Sequence, residues 1–129
     1  MDEQTKKSRI LVVEDETFLR DLYVEILADE GYEVDTAADG AEGLKKIQMG
    51  GYDLILLDIV LPKMDGIEIL KNIKANPPQN KNGSIVMLTN LGQEAVISEG
   101  VSLGVRGHII KSDYTPDKLI AEVKQLLAA

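Results

Sequence analysis

Three aliphatic runs punctuate the chain: ILVV at 10–13, LILL at 54–57 and IVML at 85–88. Each is followed by turn-forming residues and then by apolar positions spaced three and four apart. Continuous rather than alternating hydrophobicity predicts strands covered on both faces, and strands separated by helical patterns predict parallel pairing. Two weaker candidates complete the series. YEVDTA at 32–37 alternates in polarity and GHII at 107–110 has a short apolar stretch, so both suit sheet edges.

The helical patterns fall between these strands. In 17–30, Phe18, Leu19, Leu22, Tyr23, Ile26 and Leu27 form one apolar stripe, and Gly31 can end the helix. Ala41, Leu44 and Ile47 share a side of a helix over 40–49, stopped by Gly50 and Gly51. Ile67, Leu70 and Ile73 do the same over 66–75, before Asn76-Pro77-Pro78. A helix over 93–103 is weakened by Gly100, at about 1 kcal/mol relative to Ala. The last helix opens with Thr115 as cap and Pro116 at its first position.

Five strand–helix units result. With the three fully apolar strands in the centre, right-handed crossovers and helices on both faces, the strand order is 2-1-3-4-5. This is an α/β fold, a flavodoxin-like (βα)5 three-layer sandwich around a parallel sheet.

Length and charge narrow the picture further. The 129 residues suffice for one domain, expected over 9–129, with residues 1–8 as a flexible tail. A net charge of −8 argues against a nucleic-acid surface, since Lys6, Lys7 and Arg9 are the one basic cluster and suit a solvated tail. The acidic surplus favours cationic partners, metal ions among them. Thiolate sites and disulfides are impossible without Cys. No apolar run approaches bilayer length, and the start MDEQTKKSR lacks the apolar core of a signal peptide, so a cytoplasmic protein is expected.

The central strands end on acid: Glu14 and Asp15 after the first, Asp58 after the third. All carboxyl ends of a parallel sheet lie on one edge, and the winding reverses between these two strands. The three acids are therefore expected to meet there, flanked by Thr89 and Lys111 from the ends of the fourth and fifth strands. Two carboxylates about 4 Å apart repel by roughly 4 kcal/mol at an effective dielectric of 20. Such a group raises a pKa or recruits a cation, and hard oxygen ligands favour magnesium, with manganese as a substitute.

This pattern resembles the receiver domain of bacterial two-component response regulators, from about Arg9 to Leu127. Its marks are Glu14-Asp15, Asp58 with Pro62 and Gly66 at +4 and +8, Thr89 and Lys111. The resemblance implies that Asp58 is the phosphoacceptor nucleophile. It implies that Asp15, Asp58 and the Val60 backbone carbonyl bind Mg2+ directly and that Glu14 acts through water. Lys111 would pair with the phosphoryl group, and Thr89 would bond to it and, with His108, switch conformation. Pro62 shapes the loop, Asp65 caps the third helix and Gly66 permits a tight start.

Several positions depart from the family pattern. His108 stands where Tyr or Phe is common, and Asn90 where a smaller residue is usual. Ser112 stands where a cis Pro is frequent; a cis bond before Ser costs about 2.5–4 kcal/mol, so the loop is expected to be strained or arranged differently. Val60 and Leu91 are apolar at positions that influence attacking water, which predicts slow self-dephosphorylation.

The implied partners are a sensor histidine kinase or histidine phosphotransfer protein, docking near the first helix, where Phe18, Leu19 and Leu22 could contribute. A downstream protein target would use the face made by the fourth helix, fifth strand and last helix. Neither nucleic acid nor membrane is expected as a direct partner. With nothing after Ala129, the chain is expected to be either stand-alone or excised. It is expected to be a signalling switch rather than an enzyme. The alternatives are a small Asp-nucleophile phosphohydrolase, which typically carries a second Asp where this chain has Val60, and a receiver-like interaction module that is never phosphorylated. A flavin carrier fits the fold alone, but the acidic loop after the first strand is wrong for a flavin phosphate.

Overall fold

The computed structural model describes residues 7–90, 92–113 and 115–128. Among them, five strands alternate with five helices: β1 (Arg9–Val13), α1 (Thr17–Asp29), β2 (Glu33–Ala37), α2 (Gly40–Met49), β3 (Leu54–Asp58), α3 (Gly66–Ala75), β4 (Ser84–Thr89), α4 (Glu94–Ser102), β5 (Gly107–Ile110) and α5 (Pro116–Ala128). Every pairing is parallel, in the order β2-β1-β3-β4-β5.

The pleat divides the core into two. Ile10, Val12, Leu54, Leu56, Val86, Leu88 and Ile109 pack on the α1 and α5 side, with Tyr23, Leu27, Leu119 and Val123. Leu11, Val13, Ile55, Leu57 and Met87 pack on the other, with Ile47, Ile69 and Leu70. Period-2 alternation explains the split, and burial on both faces explains the continuous aliphatic runs.

Register decides what emerges at the carboxyl edge. Val13 lies opposite Leu57, so the next residues, Glu14 and Asp58, leave the sheet at the same level. Asp58 is opposite Leu88, and Thr89 opposite Ile110, so Thr89 and Lys111 each follow one step later. By the same alternation Asp58 shares a face with Leu56, while Thr89 and His108 share the opposite face with Met87.

Two expectations about helix faces are corrected. Phe18 is 73% exposed rather than part of the buried stripe, because α1 meets the sheet through Tyr23 and Leu27. Ala41 is exposed and Gly40, Gly43 and Ile47 are buried, so α2 presses glycine rather than alanine against Val13. In α3 the expected stripe of Ile67, Leu70 and Ile73 packs on the core, and Ile69 joins it fully buried.

Local capping matches the sequence. Asp65 accepts from the Glu68 amide at 2.9 Å while the Glu68 carboxylate accepts from the Asp65 amide at 3.1 Å, a reciprocal capping box. Thr115 Oγ1 accepts from the Lys118 amide at 3.3 Å. No described peptide bond is cis, and Lys111–Asp113 forms a 3-10 turn, so the loop after β5 is arranged differently from the family's cis-Pro form. Gly100 has a packing reason. A Cβ there would run into the Met87 sulfur, so its absence lets α4 lie close on β4. At the other end, the Ser8 carbonyl accepts from the Glu33 amide at 2.9 Å. Most of the expected tail, residues 1–6, lies outside the described residues.

Candidate functional site

One carboxylate oxygen from each of Glu14, Asp15 and Asp58 lies within 4.8 Å of the others. Glu14 and Asp58 are buried, and Asp15 is exposed at the mouth. The expectation that acids from two adjacent central strands converge is met. Lys111 completes the group, with Nζ 2.8 Å from Asp58 Oδ2 and 2.8 Å from Glu14 Oε1.

The two contacts of Lys111 are not equivalent. Nζ donates a hydrogen bond to Asp58 Oδ2, whereas its approach to Glu14 lies outside hydrogen-bond geometry and leaves Oε1 buried without a hydrogen-bond partner. The other Glu14 oxygen accepts from the Glu16 amide at 3.2 Å, and Asp58 Oδ1 accepts from the Val60 amide at 3.3 Å. Two buried carboxylates thus share one ammonium.

That imbalance governs the ionisation of Asp58. Burial foremost, and the charge of Glu14, push its carboxyl up to about 7 against the opposing pull of Lys111. Burial alone would lower the Lys111 ammonium, but its contacts with Asp58 and Glu14 outweigh burial and raise it. The Tyr23 phenol beneath the site is also raised, by burial and then by Glu14.

Three clustered carboxylates, two of them buried with a single ammonium between them, suit a hard divalent cation. These groups line a shallow cavity of about 310 Å³ with Glu16, Val60 and Asn90. Val60 is 61% exposed there. A larger cavity, about 480 Å³, lies elsewhere, at the opposite end of β4.

Other predicted residues stand further off. Thr89 is buried, and its hydroxyl donates to the Ile109 carbonyl at 3.4 Å. His108 is exposed on β5, and Leu91 lies outside the described residues. Sequence reasoning passed over Arg20, whose Nη1 donates to the Glu14 carbonyl at 2.9 Å and to the Asp15 carbonyl at 3.4 Å. Nothing in helical periodicity distinguishes such a residue from a solvated arginine; only the return of α1 past the β1 loop does.

Among the described residues, no helix is long and apolar enough to cross a membrane. Comparison with known proteins adds a consistent result. The model of the response regulator receiver domain matches residues 10–124. The chain is 38% identical over 125 residues to the transcriptional regulatory protein ResD of Bacillus subtilis, covering 97% of this chain and 50% of ResD, so it spans about half the length of that relative. It is 41% identical to the chemotaxis protein CheY of Treponema pallidum, covering 80% of this chain and 72% of that protein. Among solved structures, CheY4 of Vibrio cholerae superposes with a TM-score of 0.82 at 32% identity, covering 94% of this chain and 99% of that one. A CheY-like receiver domain protein from Methanospirillum hungatei gives 0.83 at 35%, covering 95% of each. With the fold, the strand-end chemistry and nearly the whole length in agreement, this chain belongs to the response regulator receiver domain family.

Proposed function

We propose that Asp58 is the phosphoacceptor of this receiver domain and that Glu14, Asp15, Asp58 and the Val60 carbonyl hold the magnesium ion that phosphoryl transfer requires. The observation that carries this reading is the burial of Asp58 at the end of a central strand, against Lys111 and within one cluster with the Glu14 and Asp15 carboxylates. Bound there, the ion would neutralise charge on the transferring phosphoryl group.

The side chains have distinct tasks. An Asp58 carboxylate oxygen attacks phosphorus, the phosphorus–nitrogen bond of a phosphohistidine breaks, and the imidazole leaves with the electron pair. The product is an acyl phosphate on Asp58. Lys111, already on Oδ2, is placed to pair with the new phosphoryl oxygens. Thr89 must release the Ile109 carbonyl to reach them, which ties its rotation, and His108 on the same sheet face, to the phosphorylated state.

On this reading the chain is a switch that assists only its own phosphorylation and dephosphorylation. A sensor kinase or phosphotransfer protein in the cytoplasm supplies the phosphoryl group, and a protein target reads the α4, β5 and α5 face. The exposed, apolar Val60 at the cavity mouth offers no group to orient water, so the phosphoryl group is long-lived. Intact mass after incubation with acetyl phosphate and magnesium tests the assignment. Wild type should gain one phosphoryl group that persists beyond seconds, and Asp58→Ala should gain none. Equal labelling of both would exclude Asp58.

A further inference from the structure

A cavity of about 480 Å³ is remote from the carboxylates. It opens between the C-terminal ends of α3 and α4, over the start of β4. Leu70, Ile73, Ile85, Val101 and Leu103 contribute its apolar surface. Pro77 and Pro78 form part of the wall and carry no backbone N–H, so that stretch offers a ligand no amide donor.

The polar side chains in the lining divide sharply. Asn82 is spent: its Oδ1 accepts from the Tyr52 amide at 3.0 Å and its Nδ2 donates to the Ile47 carbonyl at 3.1 Å. The Ser102 hydroxyl is spent too, donating to the Glu99 carbonyl at 2.7 Å. Lys74 and Lys81 remain, and among the described residues neither has a carboxylate within salt-bridge distance, although the chain as a whole carries a net charge of −8. Lys71, one turn away, is by contrast paired with Glu99 at 3.5 Å.

The geometry points to a second ligand site in this cleft, for a compact amphipathic anion: a hydrocarbon or aromatic body against the apolar surface, with one carboxylate or similar group on Lys74 and Lys81. The volume is that of a small-molecule site. A partner protein generally covers about 800 Å², over a tenth of the 7036 Å² surface of this chain, whereas the cleft is a single concavity between two helix ends. Hydrophobic contact supplies affinity, and the two ammonium groups, neither near a carboxylate of the described residues, select for negative charge.

Titration of the full chain with decanoate, followed by amide NMR, tests the site, with decanol as the uncharged control. Decanoate should shift amide resonances of residues 70–74, 79–85 and 101–104 in a saturable manner. The double variant Lys74→Gln, Lys81→Gln should bind decanoate at least fivefold more weakly and decanol unchanged. Both lysines are exposed, so the fold should survive, and phosphoryl labelling of Asp58 should be unaffected. Shifts scattered over the surface, or equal decanoate affinity in the double variant, would overturn the proposal. So would a cleft that ignores millimolar decanoate and responds instead to an acidic aliphatic peptide, which would make it a protein-docking surface.

Discussion

Asp58 and Lys111 differ in sign but are bound into one balance with Glu14, and their substitutions should move stability in opposite directions. Two buried carboxylates and one ammonium carry a net negative charge that burial makes costly. Asp58→Asn removes the surplus and leaves a Glu14–Lys111 pair. Metal-free at pH 7, that variant should be more stable than wild type by about 1–3 kcal/mol, seen as a higher urea midpoint in EDTA. Lys111→Met leaves both carboxylates uncompensated and should cost about 3–5 kcal/mol. Much of that loss should return at pH 5, where Asp58, raised to about 7 in wild type, accepts a proton. A Lys111→Met protein as stable as wild type at pH 7 would mean that the ammonium does not bear on the acids.

Glycine positions show how elements are brought close enough to build the site. A Cβ on Gly66 would sit 2.7 Å from the Asp58 carbonyl oxygen and 2.9 Å from the Ile59 Cα, both backbone atoms that cannot yield cheaply. A Cβ on Gly100 would meet the sulfur and methyl of Met87, the flexible end of a side chain. Gly66→Ala should therefore cost about 1–3 kcal/mol and slow acetyl phosphate labelling of Asp58, whereas Gly100→Ala should cost less and leave labelling intact. Denaturation midpoints and labelling rates measured on both variants separate the two. Helix and strand positions were legible to within a residue or two because periodicity and capping are local: the Asp65 cap, the Thr115-Pro116 start and the three aliphatic runs all stand where expected. The buried face of a helix is not local. Phe18 and Ala41 differ from expectation because the neighbouring sheet, not the helix, chooses which side of a broad stripe is covered.

For the whole molecule, these ionisations set a pH profile. Asp58, raised to about 7, holds more protons folded than unfolded between about pH 4 and 7, so metal-free stability falls as pH rises through that window. Asp35 works the other way. Burial would raise it, but hydrogen bonds from Tyr52, Lys46 and the Thr36 amide outweigh burial and lower it, so its contribution is present above the ordinary Asp range and lost in acid. Metal-free wild type should thus melt higher at pH 5 than at pH 7.5, and Asp58→Asn should show a smaller fall. Magnesium should raise the melting temperature more at pH 7.5 than at pH 5, because protons and metal compete for the same oxygens. Equal magnesium shifts at both pH values would detach the metal from Asp58.

The sequence by itself determined that this chain forms five strand–helix units, which strands are central, and that acids leave two of them at the same edge. Those properties follow from hydrophobic period and from the rule that parallel strands share a carboxyl end. Which way each strand-end side chain points was decided only in three dimensions. Strand register and the pleat send Asp58 to the α1 and α5 side with Lys111 against it, and Thr89 to the opposite face with its hydroxyl on the Ile109 carbonyl. The same holds for Arg20 at the acid loop and for the two lysines that line the remote cleft. Each depends on which distant segments meet, and no local pattern records that.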